Sequence, residues 1–393
     1  MEFAMSSRFI YHLHLIVLCF ITAIFTPAGN AKEIRDLAKY VDPRIGVIDT
    51  GSNCVIGPQV PFGSINPSPD TPNGDHDGYN PNEPIRGFSQ LHASGTGWGK
   101  YGQILVSPQT GLAVGETEHD SPKSNELAQA FEYAVRLAKY DIKAEFTPTH
   151  HAALYRFTFP QSDDAYILID VTHNIPMDIA TYVGGRVSAG EVAIDTVNAN
   201  KMSGYGRYTG GFGSGDYNVY FAAEFNIPAE KYGTWKNGEI AAGSAFSKIS
   251  KQDDRIGGYF HYSMAADEII LIKIAISMES VEQARAYLAD EIPDWNYDAV
   301  KTACKAKWDD ALSSILIDNA SEKEMKIFYT ALYHTMVMPR DRTGDFKNWA
   351  DDIPHWDDHY AVWDTWRTVF PLMALIRSAM VRDNILSFIE RLK

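Results

Sequence analysis

The 393-residue chain carries 35 Lys and Arg against 50 Asp and Glu, a formal net charge of −15 at pH 7. With no Lys/Arg cluster anywhere, that balance argues against nucleic acid as a partner, because phosphate binding needs a basic stripe. Hydrophobic residues at 45% and charged residues at 22% make a globular rather than a disordered composition, and the length predicts about two or three domains. The 12% aromatic content, with 21 Tyr and 8 Trp, suits sugar-binding faces and β-sheet cores alike.

Residues 1–31 read as an export signal. Arg8 supplies the positive start, and the apolar run from Leu15 to Phe25 is shorter than the roughly 20 residues a membrane-spanning helix needs. Gly29 and Ala31 are the small residues a signal peptidase inspects, so cleavage is expected after Ala31. The alternative is a membrane anchor. With the signal removed, no membrane span remains, and the destination is periplasmic, cell-surface or extracellular. Cys54 and Cys304 are then the cysteines left. They are too far apart for a disulfide framework or a Cys-based zinc site, and both are expected to be unpaired.

Residues 40–115 are punctuated by Gly and Pro, as in loops and short strands. Gln103–Ser107 is a predicted strand closed by Pro108. Ala152–Phe159, Ala165–Val171, Val219–Phe225 and Glu268–Ile276 follow as strands separated by Gly/Asn/Asp turns. That spacing predicts an antiparallel β-sandwich over 32–279, and the lack of a βαβ rhythm speaks against a parallel sheet. The character changes near 280. Ser280 is placed to cap a helix from Val281, residues 297–312 are helical, and Ser321 with Glu324 forms a capping box for a helix from Glu322 to Met338. Two more helices are predicted, Thr365 to about Ile376 and Asp383 to Lys393.

Several clusters have a bland and a sharp reading. Gly210–Gly215 lacks the strand-then-helix context of a phosphate cradle and reads as a hairpin loop. Asp75-His76-Asp77-Gly78 lacks the later oxygen ligands of a calcium loop and reads as a turn. His355 and His359 have the i, i+4 spacing of helical zinc ligands but follow Pro354 and lack the partner Glu. Asp351, Asp352, Asp357 and Asp358 read as a solvated acidic face. Asp364 stands apart, between Trp363 and Trp366 with Arg367 close by. There a carboxylate can cap a helix, pair with Arg367, or accept sugar hydroxyls while an indole packs on the ring. The stretch Gly87–Gly102 is the most unusual: clustered glycines hold Trp98, with His92 nearby, in a loop suited to ring stacking.

Together, Tyr40-Val41-Asp42-Pro43-Arg44-Ile45-Gly46, Val60-Pro61-Phe62-Gly63, Ser68-Pro69-Asp70-Thr71, Gly87-Phe88-Ser89, Ser94-Gly95-Thr96-Gly97 and Trp363-Asp364-Thr365-Trp366-Arg367 resemble glycoside hydrolase family 92. The resemblance implies a secreted, calcium-dependent, inverting exo-α-mannosidase that trims mannose from N-glycans. It implies a β-sandwich followed, after linking helices at 280–320, by an (α/α)₆ barrel beginning at 321. Trp98 would face the sugar next to the cleaved bond, in the α-1,2 version of the loop. Asp364 and Arg367 would hold the terminal mannose, with Trp363 and His92 as further substrate-binding residues. An inverting glycosidase needs an acid and a base about 6.5–9.5 Å apart. A twelve-helix barrel needs on the order of 200 residues, so both are expected beyond residue 393, with most of the calcium shell. Metal ligands within the chain are not assignable from the sequence. The competing expectation is a non-catalytic carbohydrate-binding sandwich protein.

Overall fold

The computed structural model describes residues 35–47, 53–74, 76–95, 99–175, 178–179, 182–183, 186–210, 215–350, 352–359 and 361–393. The predicted export signal therefore lies outside the described residues, and residues 36–393 form one compact unit.

Two antiparallel sheets face each other. One has seven strands in the spatial order Ser68–Asp70, Gly87–Ser89, Leu105–Thr110, Ser162–Asp170, Ile256–Met264, Lys231–Lys236 and Glu239–Ala242. The other has nine, from Phe246–Lys248 through Val187–Ile194, Lys201–Tyr208, Tyr217–Phe225, Glu268–Ser277, Ala152–Phe159, Ile142–Pro148 and Glu132–Leu137 to Lys123–Gln129. Their inner faces meet over one core in which Phe88, Phe146, Tyr155, Phe157, Ile169 and Phe260 are fully buried. Area burial of rings this size dominates such a core. The predicted strand closed by Pro108 instead runs through it to Thr110. The strand before it pairs only at Val106, so beyond that point one edge of Leu105–Thr110 has no strand partner and the missing N–H breaks no ladder. The glycine run at 210–215 connects paired strands, as a hairpin loop should, with 211–214 outside the described residues.

Helix α1 (Val281–Glu291) starts where expected, with Ser280 Oγ accepting from the Gln283 amide at 3.0 Å. Helix α2 (Tyr297–Leu312) is capped by Asn296, and α3 (Glu322–His334) carries the full Ser321/Glu324 capping box. Helix α3 ends before Met338, because Pro339 disfavours helical backbone in the residue preceding it. The helix predicted from Thr365 to Ile376 is two: α4 (Val362–Thr365) and α5 (Val369–Ile376). Pro371 explains the break. Its ring clashes with a carbonyl four residues back, which is tolerated only if the helix starts afresh with the proline in its first turn. Helix α6 (Ser378–Arg391) completes the described fold.

A second core joins the helices to the early chain. Trp308 of α2 is fully buried and donates its indole N–H to the Gln59 carbonyl at 2.5 Å. Asp309 accepts the Leu37 and Ala38 amides at 2.9 and 2.8 Å. Leu37, Val41, Val60 and Phe62 therefore pack with Tyr329, Tyr333 and Trp356 rather than between the sheets. Cys54 is half-buried and Cys304 buried, both with free thiols. Burial pushes the Cys304 thiol up to about 12, so it is chemically inert.

Candidate functional site

The sequence around Trp356 alternates strand, turn and helix over a dozen residues. Trp356–Asp357 pairs with Arg340–Asp341 as a short ribbon, Asp358 and Ala361 take left-handed backbone at φ +53° and +43°, and α4 begins at once. Non-glycine residues in that region store strain and persist where neighbouring contacts hold them. Here Asp358 supplies the contacts. Its carboxylate is 3% exposed and lies 3.1 Å from Lys100 Nζ, 3.1 Å from Arg342 Nη2 and 3.2 Å from Arg340 Nε. The Tyr101 hydroxyl donates to it at 2.7 Å. Burial works against this charge, but the Lys100, Arg342 and Arg340 cations outweigh it and hold the carboxyl far below the usual range. The expected solvated acidic face is therefore corrected at Asp358, which is a buried counter-ion.

The hub joins two segments more than 250 positions apart, the end of the glycine-rich loop and the segment that leads into α4. Arg340 also donates to the His92 backbone carbonyl and to that of Ser64, which ties the ribbon to the seven-stranded sheet. Between loop and helix lies a cavity of about 140 Å³ lined mainly by apolar surface, including Ser94, Gly95, Thr365 and Phe370.

On the outer side of this scaffold α4 presents its side chains to solvent. Trp363 is 70% and Trp366 59% exposed, and Asp364 and Arg367 are exposed beside them. Two adjacent solvent-facing tryptophans are unusual, since an indole normally buries its large apolar face. Asp364 does not cap α4, whose N-cap is Ala361. The Arg367 guanidinium lies 5.5 Å from the Trp366 ring centre, and no ion pair between Asp364 and Arg367 is present among the described residues. Carboxylate, guanidinium and two indoles thus stand open together.

Trp98 lies outside the described residues. His92 needs a correction as a sugar contact. Its ring is fully buried, with Nδ1 2.8 Å from the Asn66 carbonyl and Nε2 3.2 Å from both Asp70 Oδ1 and Ser89 Oγ. Both ring nitrogens are committed to the protein, so His92 positions the loop from within. The His355 and His359 pair is not on a helix. His355 lies beside Arg391 at 3.0 Å and His359 bonds Asn384 at 2.6 Å, while burial drops the His355 pKa to about 4. Sequence reasoning missed Lys100, Arg340 and Arg342. The one available signal was the Arg-Asp-Arg run at 340–342, cations in an otherwise acidic region.

Two family models divide the chain between them. The glycosyl hydrolase family 92 N-terminal domain matches residues 40–277, and the glycosyl hydrolase family 92 catalytic domain matches 283–393. The chain belongs to glycosyl hydrolase family 92. Among solved structures, the family GH92 α-mannosidase BT3965 from Bacteroides thetaiotaomicron is 26% identical, with a TM-score of 0.80 over 91% of this chain and 50% of its own. The same enzyme in complex with mannoimidazole gives 26% and 0.79, over 90% of this chain and 48% of that one. An uncharacterized secreted glycosidase of Arthroderma benhamiae is 25% identical over 374 residues, 86% of this chain and 46% of its own length. The chain thus spans about half the length of these relatives.

Proposed function

We propose that this family 92 chain forms the mannose-holding side of an exo-α-mannosidase site that acts on α-1,2-linked mannose of N-glycans after export. The observation that carries the reading is the Asp358 hub, which fixes the glycine-rich loop beside α4 and leaves Trp363, Asp364 and Arg367 open to a ligand. Asp364 and Arg367 would accept from and donate to adjacent hydroxyls of the terminal sugar, while Trp363, and Trp98 from the loop, pack on ring faces. Charge-assisted hydrogen bonds to a neutral sugar are short, directional and contribute about 1.5–3 kcal/mol each. The mannoimidazole complex of the similar α-mannosidase supports the choice of ligand.

Hydrolysis with inversion needs a general acid with a raised pKa on the substrate. Burial pushes the Asp345 carboxyl upward. It is closed off, accepting from Ser277 Oγ at 2.5 Å and the Met278 amide at 2.9 Å. A carbohydrate-binding role without turnover is therefore the second reading. Nor do the described residues gather three or more His, Cys, Asp or Glu side chains able to hold a metal ion, so no step is assigned to calcium.

Titration of the chain with mannoimidazole tests the reading. Asp364→Ala and Arg367→Ala should each weaken binding at least about tenfold. Unchanged affinity in both variants would sink the assignment, and loss of binding in EDTA would reveal a calcium set. Export predicts that the secreted chain begins at Lys32, which N-terminal sequencing reads directly. A chain that retains residues 1–31 would contradict the cleavage.

A further inference from the structure

The outer face of the nine-stranded sheet carries a second cavity, of about 490 Å³, remote in sequence from α4 and its loop. Strand register explains why it is there. Phe246, Ala193, Ser203 and Ala222 are neighbours in one row across four strands, so three small side chains form a floor beside a phenyl ring. The next row holds Tyr205 and Tyr220, their rings 5.4 Å apart. Helix α1 covers Ala222 and closes the far end with Arg285, whose guanidinium donates to Ser203 Oγ at 3.0 Å. Side chains directly opposite one another in antiparallel strands share a face, which makes this trough a consequence of pairing rather than of loop placement.

Three features define what it can hold. Phe246 is 50% exposed at the sheet edge and directly opposite Ala193 of the cavity lining, so it flanks the cavity rather than lining it. The charges are already matched: Lys201 Nζ is 2.8 Å from Glu224 Oε1, and Asp195 lines the cavity with Arg285. A phosphate or a cation gains little from such a balanced lining, whereas a neutral polyol can bond to both signs at once. A volume in the range of small-molecule sites, an exposed phenyl ring at its edge and a polar rim together suit a pyranose.

We propose that the trough is an accessory carbohydrate site that takes neutral mannosides, with Phe246 stacking on a ring and Glu224 and Arg285 bonding its hydroxyls. The choice of mannose rests on the function proposed for α4; the existence of the site does not. Such a site holds a branched glycan at a second point and raises its effective concentration at the first.

Affinity electrophoresis of the full chain through gels containing soluble α-mannan separates the two. Phe246→Ala and Ser203→Trp, the second filling the floor, should each weaken mannan binding about tenfold, with circular dichroism and thermal midpoint unchanged. Retardation that survives Asp364→Ala with Arg367→Ala but vanishes with Phe246→Ala supports the trough even if the α4 reading fails. Migration of both trough variants like the unaltered chain overturns it. So does retardation abolished by the α4 substitutions alone, or no retardation of the unaltered chain.

Discussion

Asp358→Asn should destabilise the protein by about 3–5 kcal/mol. The amide keeps the shape and part of the hydrogen bonding but removes the carboxylate charge that ion-pairs with Lys100, Arg340 and Arg342. Three cations then share a buried space, and an uncompensated charge in low dielectric is far costlier than a lost pair at the surface. Asp357→Asn is the matched control. Its side chain is 37% exposed and 3.4 Å from Arg391, a pairing that contributes no more than about 1 kcal/mol. Urea unfolding of both variants decides the matter. An Asp358→Asn midpoint as close to the unaltered protein as that of Asp357→Asn would show that the hub is solvated and the argument wrong. Because Asp358 fixes the left-handed entry to α4, mannoside affinity should fall with stability in this variant but not in the control.

Glu291→Gln is expected to lower stability by about 2–3 kcal/mol at neutral pH. Glu291 ends α1 and binds the sandwich edge: Oε1 lies 2.6 Å from His151 Nδ1, and Oε2 accepts from Thr149 Oγ1 at 2.5 Å and from the His151 amide at 2.9 Å. Tyr287 stacks on the same imidazole at 3.7 Å. Burial raises the carboxyl's pKa, but the His151 ring and the remaining donors outweigh it, and the net value falls from 4.5 to about 2. A carboxyl depressed in the folded state contributes stability that is fully present above its unfolded value and is lost as pH falls through the folded one. The gap between the two proteins should therefore be constant above about pH 4.5 and close progressively toward pH 2. Chemical unfolding at steps across that window measures it. A gap that stays constant down to pH 3 would contradict the assignment of the shift to Glu291.

The strands Ala152–Phe159 and Glu268–Ser277 were legible as apolar-rich runs bounded by turns, because both are buried on both faces over much of their length. Strands such as Lys123–Gln129, paired on one side at the sheet edge, and Lys201–Tyr208, paired on both, are rich in polar residues and glycine and carry no such signal. Helix starts were legible through Ser280 and Ser321, whose caps are local chemistry. The break between α4 and α5 was also written locally, in Pro371, but required asking where its ring would clash. The site was half visible. Trp363, Asp364 and Arg367 are next to one another in sequence, so their clustering needs no fold. The Asp358 hub draws on residues 100, 101, 340 and 342, and only the folded chain brings them together. His92 shows the converse error: nearness to Trp98 and the family resemblance made it a substrate contact, whereas its ring is fully buried.

The docking of Leu37 and Ala38 on Asp309, and of the Gln59 carbonyl on Trp308, closes the polypeptide on itself. The change of composition near residue 280 marks where strands give way to helices, yet it is not a seam along which the molecule can be taken apart. A polypeptide ending at 279 would leave Val41, Val60 and Phe62 facing water, and a helical piece starting there would lack the walls around its own tryptophan. Protease nicking between sandwich and helices should therefore leave two fragments that stay together until the whole unfolds, and a folding trajectory that must wait for its first residues to meet positions beyond 300 is a slow one.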